Sequence, residues 1–122
     1  MKTNKTGLAR ILEAFKYSKD GFVSAFKTEE AFREDILLCA VLFIISILLP
    51  ISFIEKLFLF SSLFLVILCE LINTAIETII DRISEKIHPL SKVAKDIGSC
   101  IVLISFVYLI LVWFIILYEN FL

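Results

Sequence analysis

Three long apolar runs set the limits on what this chain can become: Ile36 to Ile54, broken late by Pro50; Leu57 to Ile80; and Ile97 to Tyr118. Each approaches or exceeds the ~20 residues with which a helix crosses the hydrocarbon core of a bilayer. Hydrophobic residues make up 60% of the 122 and the mean hydropathy is +0.97, beyond what a soluble domain of this size carries. The expected architecture is an all-α integral membrane protein of one domain, residues 1–122. It consists of an N-terminal amphipathic surface helix over about 7–26 and three transmembrane helices over about 28–49, 54–87 and 91–121. None of the apolar runs is N-terminal and six acidic side chains fall in the first 35 residues, so no cleaved signal peptide is expected.

The net charge of −1 conceals an asymmetry. Lys2, Lys5, Arg10, Lys16, Lys19, Lys27 and Arg33 precede the first run, and Arg82, Lys86, Lys92 and Lys95 lie between the second and third. Only Lys56 lies between the first and second, and no basic residue follows the third. Basic loops stay on the cytoplasmic side, which predicts the N-terminus inside and the C-terminus outside. Trp113 and Tyr118 suit an interfacial belt at the outer end of the last span.

The second run is interrupted by polar residues at regular intervals: Glu70, Asn73, Glu77 and Asp81. At about 100° per residue these four point into one sector about 80° wide. An ionisable group at the depth of Glu70 costs at least ~2.5 kcal/mol unless it is paired or wetted. Carboxylates and an amide are hard oxygen ligands, suited to Mg²⁺ and not to zinc or copper. Arg82, Lys86, His88, Lys92 and Lys95 follow at the inner end of the stripe, enough positive charge to meet a polyphosphate.

Residues 7 to 26 place Leu8, Ile11, Leu12, Phe15, Phe22, Val23 and Phe26 on one helical face and Arg10, Glu13, Tyr17, Asp20 and Ser24 opposite. This is the pattern of a helix lying in the interface plane. Thr28 is suited to cap the next helix, with Glu29 and Glu30 in a first turn where carboxylates complement the dipole. Ser91 is suited to cap the last one. Cys39, Cys69 and Cys100, odd in number and within or beside apolar runs, read as small buried hydrophobes. No glycine-rich phosphate loop is present.

A divalent cation, cationic groups for phosphate oxygens and a buried base beside an acceptor hydroxyl are the parts of a phosphoryl-transfer site. Glu70 lies about 10 Å deeper than Glu77, so the metal belongs near the cytoplasmic edge and the base at the depth of a lipid hydroxyl. The same polar groups also suit a small oligomeric proton or cation transporter, or polar glue in a structural bundle. Three spans are too few to enclose a site, so either activity requires oligomerisation.

At this level of detail the sequence resembles the prokaryotic diacylglycerol kinase family. The likeness runs through Thr6-Gly7, Tyr17-Ser18, Ala31-Phe32-Arg33, Glu70-x-x-Asn73-x-Ala75-Ile76-Glu77, Asp81-Arg82-Ile83, Leu90-Ser91, Ala94-Lys95-Asp96 and Gly98-Ser99. The resemblance implies a homotrimer with shared active sites in the bacterial inner membrane, transferring the γ-phosphoryl group of MgATP to diacylglycerol. Nucleic acid is not among the implied partners. By this likeness Glu70 is the general base with Asn73 in support, and Glu29 and Glu77 hold Mg²⁺. ATP would be contacted by Arg10, Tyr17, Glu29, Glu77, Lys86, His88, Lys95 and Asp96. The lipid would be met by Arg10, Ala14, Ser18, Lys19, Arg33, Glu34, Asp35, Lys56, Glu70, Ser99 and Trp113. Asp35, where glutamate is usual, and Ile36, where a small residue is common, bear on the lipid pocket, and Lys86 bears on the adenine contact. A sister branch, the undecaprenol kinases, shares the catalytic motif and is the alternative within the family.

Overall fold

The computed structural model describes residues 6–83 and 88–122. Lys86 and the last four residues of the expected second span lie outside them. Four helices follow in order: α1 (Leu8–Thr28), α2 (Glu30–Leu48), α3 (Phe53–Ile83) and α4 (Pro89–Phe121).

Each helix end has a local cause. Gly7, at φ 64°, turns the chain into α1 through the left-handed region that glycine enters without strain. Helix α1 runs two residues past the expected end. The Thr28 hydroxyl donates to the Ser24 carbonyl at 2.8 Å and so finishes α1, whereas the expectation made Thr28 the cap of α2. The N-cap of α2 is instead Glu29, a single extended residue that forms the whole corner between the two helices. Arg33 seals that corner by donating from Nη1 to the carbonyls of Phe26 (2.8 Å) and Lys27 (3.1 Å), which the end of α1 leaves without helical partners. Phe32, fully buried, meets the Phe22 ring edge-on at 5.3 Å.

At the other end of the molecule Ser52 and Glu55 form a capping box, each backbone N–H donating to the other's side chain at 3.1 Å. Lys56 reaches back to the Ile47 carbonyl at 2.8 Å and closes the end of α2. Helix α4 begins at Pro89, in the first turn where a missing N–H costs nothing. Its cap is His88, whose Nδ1 accepts from the Leu90 N–H at 3.1 Å; Ser91, the expected cap, is already inside the helix.

Helices α3 and α4 pack antiparallel along their length, and α2 packs against α3. As numbering rises on α3 it falls on α4 through Glu55 with Asn120 (2.6 Å), Ser62 with Trp113 (3.1 Å) and Asp81 with Lys95 (2.9 Å). The core is Cys39, Leu59, Leu63, Val66, Leu109, Trp113 and Ile116. Three buried serines satisfy their hydroxyls on carbonyls three residues back: Ser46 on Phe43, Ser62 on Leu59 and Ser105 on Val102. Trp113 departs from the interfacial expectation. It is 8% exposed, and its indole N–H, which needs a partner once buried, donates to Ser62 Oγ.

Among the described residues, only α3 and α4 form helices long and apolar enough by themselves to cross a membrane. Glu30, Arg33, Glu34 and Asp35 in the first turns of α2 shorten its apolar part to Ile36–Leu48, about 20 Å of helix. Large apolar side chains remain exposed on all four helices, among them Leu8, Phe15, Leu37, Phe64 and Ile104.

Candidate active site

The polar stripe of α3 meets the α1–α2 corner. Glu70 is 6% exposed, and the Asp35 carboxyl of α2 lies in hydrogen-bonding contact with it. Glu77, from two turns further along α3, and Glu29, from the corner, both act on Glu70 with their charge. Glu70 is thus approached by carboxyl groups of α2, of its own helix and of the α1–α2 corner. Asn73 stands between Glu70 and Glu77 on the stripe and donates from Nδ2 to Glu77 Oε1 at 3.2 Å.

The fourth residue of the stripe faces a different neighbour. Asp81 pairs with Lys95 Nζ of α4 at 2.9 Å, and Lys95 also feels the charge of Glu77. Asp96 pairs with Lys92 at 2.7 Å, one turn away on the same helix. His88 keeps its Nδ1 on the helix cap and exposes the remainder of its ring. The C-terminal end of α3 and the start of α4 thus present lysines, a histidine and carboxylates to solvent.

The remaining expected residues are spread more widely. Arg10, Ala14, Tyr17, Ser18 and Lys19 are exposed along α1, with the Ser18 hydroxyl bonded back to the Ala14 carbonyl at 2.9 Å. Glu34 and Ser99 are exposed, and Arg33 is occupied at the corner. Lys56 lies about 21 Å along α3 from Glu70, at the opposite end of the molecule. Trp113 sits in the α3–α4 seam.

Beside the acids an apolar groove of about 240 Å³ opens between α2 and α3, walled by Ile36, Cys39, Phe43, Phe60, Leu63 and Ile67. Cys39 lies close enough to Asp35 and Glu70 to feel both charges, so the groove begins where the acid cluster ends. An apolar slot leading to the buried Glu70 and the half-buried Asp35 has the form of a site for an amphiphile: chain in the slot, polar end at the acids.

Among the described residues no group of three or more His, Cys, Asp or Glu side chains is arranged to hold a metal ion. Mg²⁺ takes only one or two protein carboxylates and completes its shell with water and substrate phosphates, so its binding does not call for such a group.

Sequence reasoning treated Asp35 only as a lipid contact and missed its pairing with Glu70. Its position one residue before the apolar part of α2 was the available signal. The Ser52-x-x-Glu55 spacing is itself the sequence signal of the capping box that starts α3.

Residues 16–117 match the sequence profile of the family described as prokaryotic diacylglycerol kinase. The diacylglycerol kinase of Escherichia coli is 38% identical over 121 residues, covering 99% of this chain and 99% of its own. That of Pseudomonas aeruginosa is 42% identical over 109 residues, 89% of each chain. That of Helicobacter pylori is 36% identical over 107 residues, 88% of this chain and 84% of its own. With a profile spanning most of its length and relatives above one-third identity along nearly all of it, the chain belongs to the prokaryotic diacylglycerol kinase family.

Proposed function

We propose that this protein is a membrane lipid kinase that transfers the γ-phosphoryl group of ATP to the hydroxyl of 1,2-diacylglycerol, giving phosphatidic acid and ADP. The observation that carries the reading is the buried Glu70, held by Asp35 at the mouth of an apolar groove. A lipid hydroxyl seated there has its chains in the groove and its proton beside a carboxylate. Glu70 takes that proton as the oxygen bonds to the γ-phosphorus and the bond to ADP breaks. Asp35 fixes the direction of the Glu70 carboxyl, and its neighbour Glu34 offers a further acceptor at the lipid head.

Glu29 and Glu77 would hold Mg²⁺, which when bound neutralises charge on the phosphate oxygens. Asn73 orients Glu77. Lys95, His88, Arg10 and Tyr17, with Lys86 and Asp96, form the nucleotide side. Of the lipid-side set, Arg33, Lys56 and Trp113 already hold bonds within the chain, so they serve the lipid through shape, whereas Ala14, Ser18, Lys19 and Ser99 are exposed to contact it.

In this reading α2 is the third span, with its charged first turns in the interface, and α1 lies on the membrane surface with Leu8 and Phe15 in lipid. The protein works as a homotrimer in the bacterial inner membrane, its N-terminus cytoplasmic and its C-terminus outward. The exposed apolar faces of its helices are divided between lipid and other protomers.

The test is radiolabelled ATP presented to the purified protein with diacylglycerol and with undecaprenol, in mixed micelles of matched mole fraction. A site that hydrogen-bonds the ester-bearing glycerol body discriminates by kcat/KM of at least about tenfold in favour of diacylglycerol, about 1.4 kcal/mol. Equal or reversed preference assigns the chain to the undecaprenol branch, for which Ile36 in the groove wall would be the reason. Label in neither lipid, together with ATP-independent proton or cation flux in liposomes, would replace the kinase with a transporter.

A further inference from the structure

Gly98 lies buried in α4, in ordinary helical conformation, where glycine weakens a helix relative to alanine and no backbone requirement calls for it. What demands it is space. A Cβ built on Gly98 would collide with Asn73 Oδ1, stand 3.3 Å from Asn73 Cγ and meet Ile76 Cδ1 at 3.7 Å. The Asn73 amide is thus confined between α4 and its own helix. Its oxygen is buried and accepts no hydrogen bond among the described residues, while its nitrogen donates to Glu77 Oε1 at 3.2 Å. The assignment of the two ends follows from chemistry, since a carboxylate oxygen can be met only by the NH₂. Gly21 offers the contrast: it is also helical, but nothing lies within 4 Å of a Cβ placed there.

We propose that Gly98 is a positioning residue for phosphoryl transfer: its missing side chain leaves the room in which the Asn73 amide stands to aim the Glu77 carboxylate. A methyl group at position 98 would take the place of the amide oxygen, so the amide must turn, and turning swings Nδ2 away from Glu77. The inference rests on the reading of Glu77 as a metal-holding residue. It adds that α4 controls the aim of that residue through one atom-sized gap.

The experiment is a double-mutant cycle on the full chain in detergent micelles, comparing Gly98→Ala, Asn73→Ala and the double variant, with Gly21→Ala and Glu77→Gln alongside. Binding of Mn²⁺ with a non-hydrolysable ATP analogue is read by electron paramagnetic resonance, together with kcat and thermal unfolding. Loss of a group that orients a metal ligand costs about 10- to 100-fold in affinity. Gly98→Ala should show a loss of that order with no lower unfolding temperature, and Gly21→Ala none. In the Asn73→Ala background, Gly98→Ala should change binding by no more than about twofold, because the atom it displaces is gone.

A full, additive loss in that background, or wild-type Mn²⁺ binding by Gly98→Ala, would overturn the inference and leave the metal reading standing. Wild-type binding by Glu77→Gln would remove the metal reading and the inference with it. Should Gly98→Ala fail to fold, recovery of folding in the double variant supports the clash with Asn73, and failure to recover refutes it.

Discussion

Glu70→Gln isolates the proposed chemical step from the rest of the site. The substitution keeps size and leaves a group able to hydrogen-bond Asp35, so the packing of a side chain that is 6% exposed is preserved. What disappears is the ability to take a proton. General-base assistance is worth about 10²- to 10⁴-fold, so kcat should fall by that factor, equivalent to ~2.7–5.4 kcal/mol in the barrier. The proposed nucleotide side lies about 10 Å further along α3, at Glu77, and KM for ATP should stay within about twofold.

Glu70→Asp adds a geometric arm. The charge is retained but withdrawn by one C–C bond, ~1.5 Å, and a displacement of that size at a reacting centre costs about 10²-fold. The assay is initial rate against ATP and diacylglycerol across pH. A base acts only when ionised, so wild-type kcat falls on the acid side, and the residual activity of Glu70→Gln should lose that limb. A kcat within tenfold of wild type for Glu70→Gln would refute the base assignment. Loss of nucleotide binding with chemistry retained would instead move Glu70 into the metal shell.

Glu29→Gln and Glu77→Gln each remove one of the two carboxylates proposed for Mg²⁺ and should raise the half-saturating Mg²⁺ concentration by about tenfold or more; unchanged Mg²⁺ titrations for both would exclude the metal reading. Trp113→Phe keeps most of the buried ring but removes the donor to Ser62. It should lower the unfolding free energy in detergent by about 1 kcal/mol with kcat unchanged within about twofold, whereas an effect confined to lipid KM would make Trp113 a lipid contact. On a background lacking the native cysteines, single cysteines at positions 56 and 120 should label from outside intact inner membranes and one at position 92 should not; labelling at 92 from outside would invert the topology.

Much of this protein is a local matter and was legible in the chain. The apolar runs together with their flanking cap and proline signals anticipate helices α2, α3 and α4 to within two residues at each end, apart from the stretch 84–87. A helix repeats every 3.6 residues whatever it packs against, so Glu70, Asn73 and Glu77 had to share one face. Helix α1 was legible for the same reason. Helix ends were less so: Thr28, Glu29, Ser91 and His88 all carry side chains able to cap, and the competition among them was decided by the corner Arg33 closes and by Pro89. Contacts between helices were not legible. That Asp35 would reach Glu70, that Trp113 would turn inward to Ser62, and that Gly98 would stand opposite Asn73 depend on the register of one helix against another. Register is set by the interlocking of many side chains across the seam, and no window of sequence contains both sides of it.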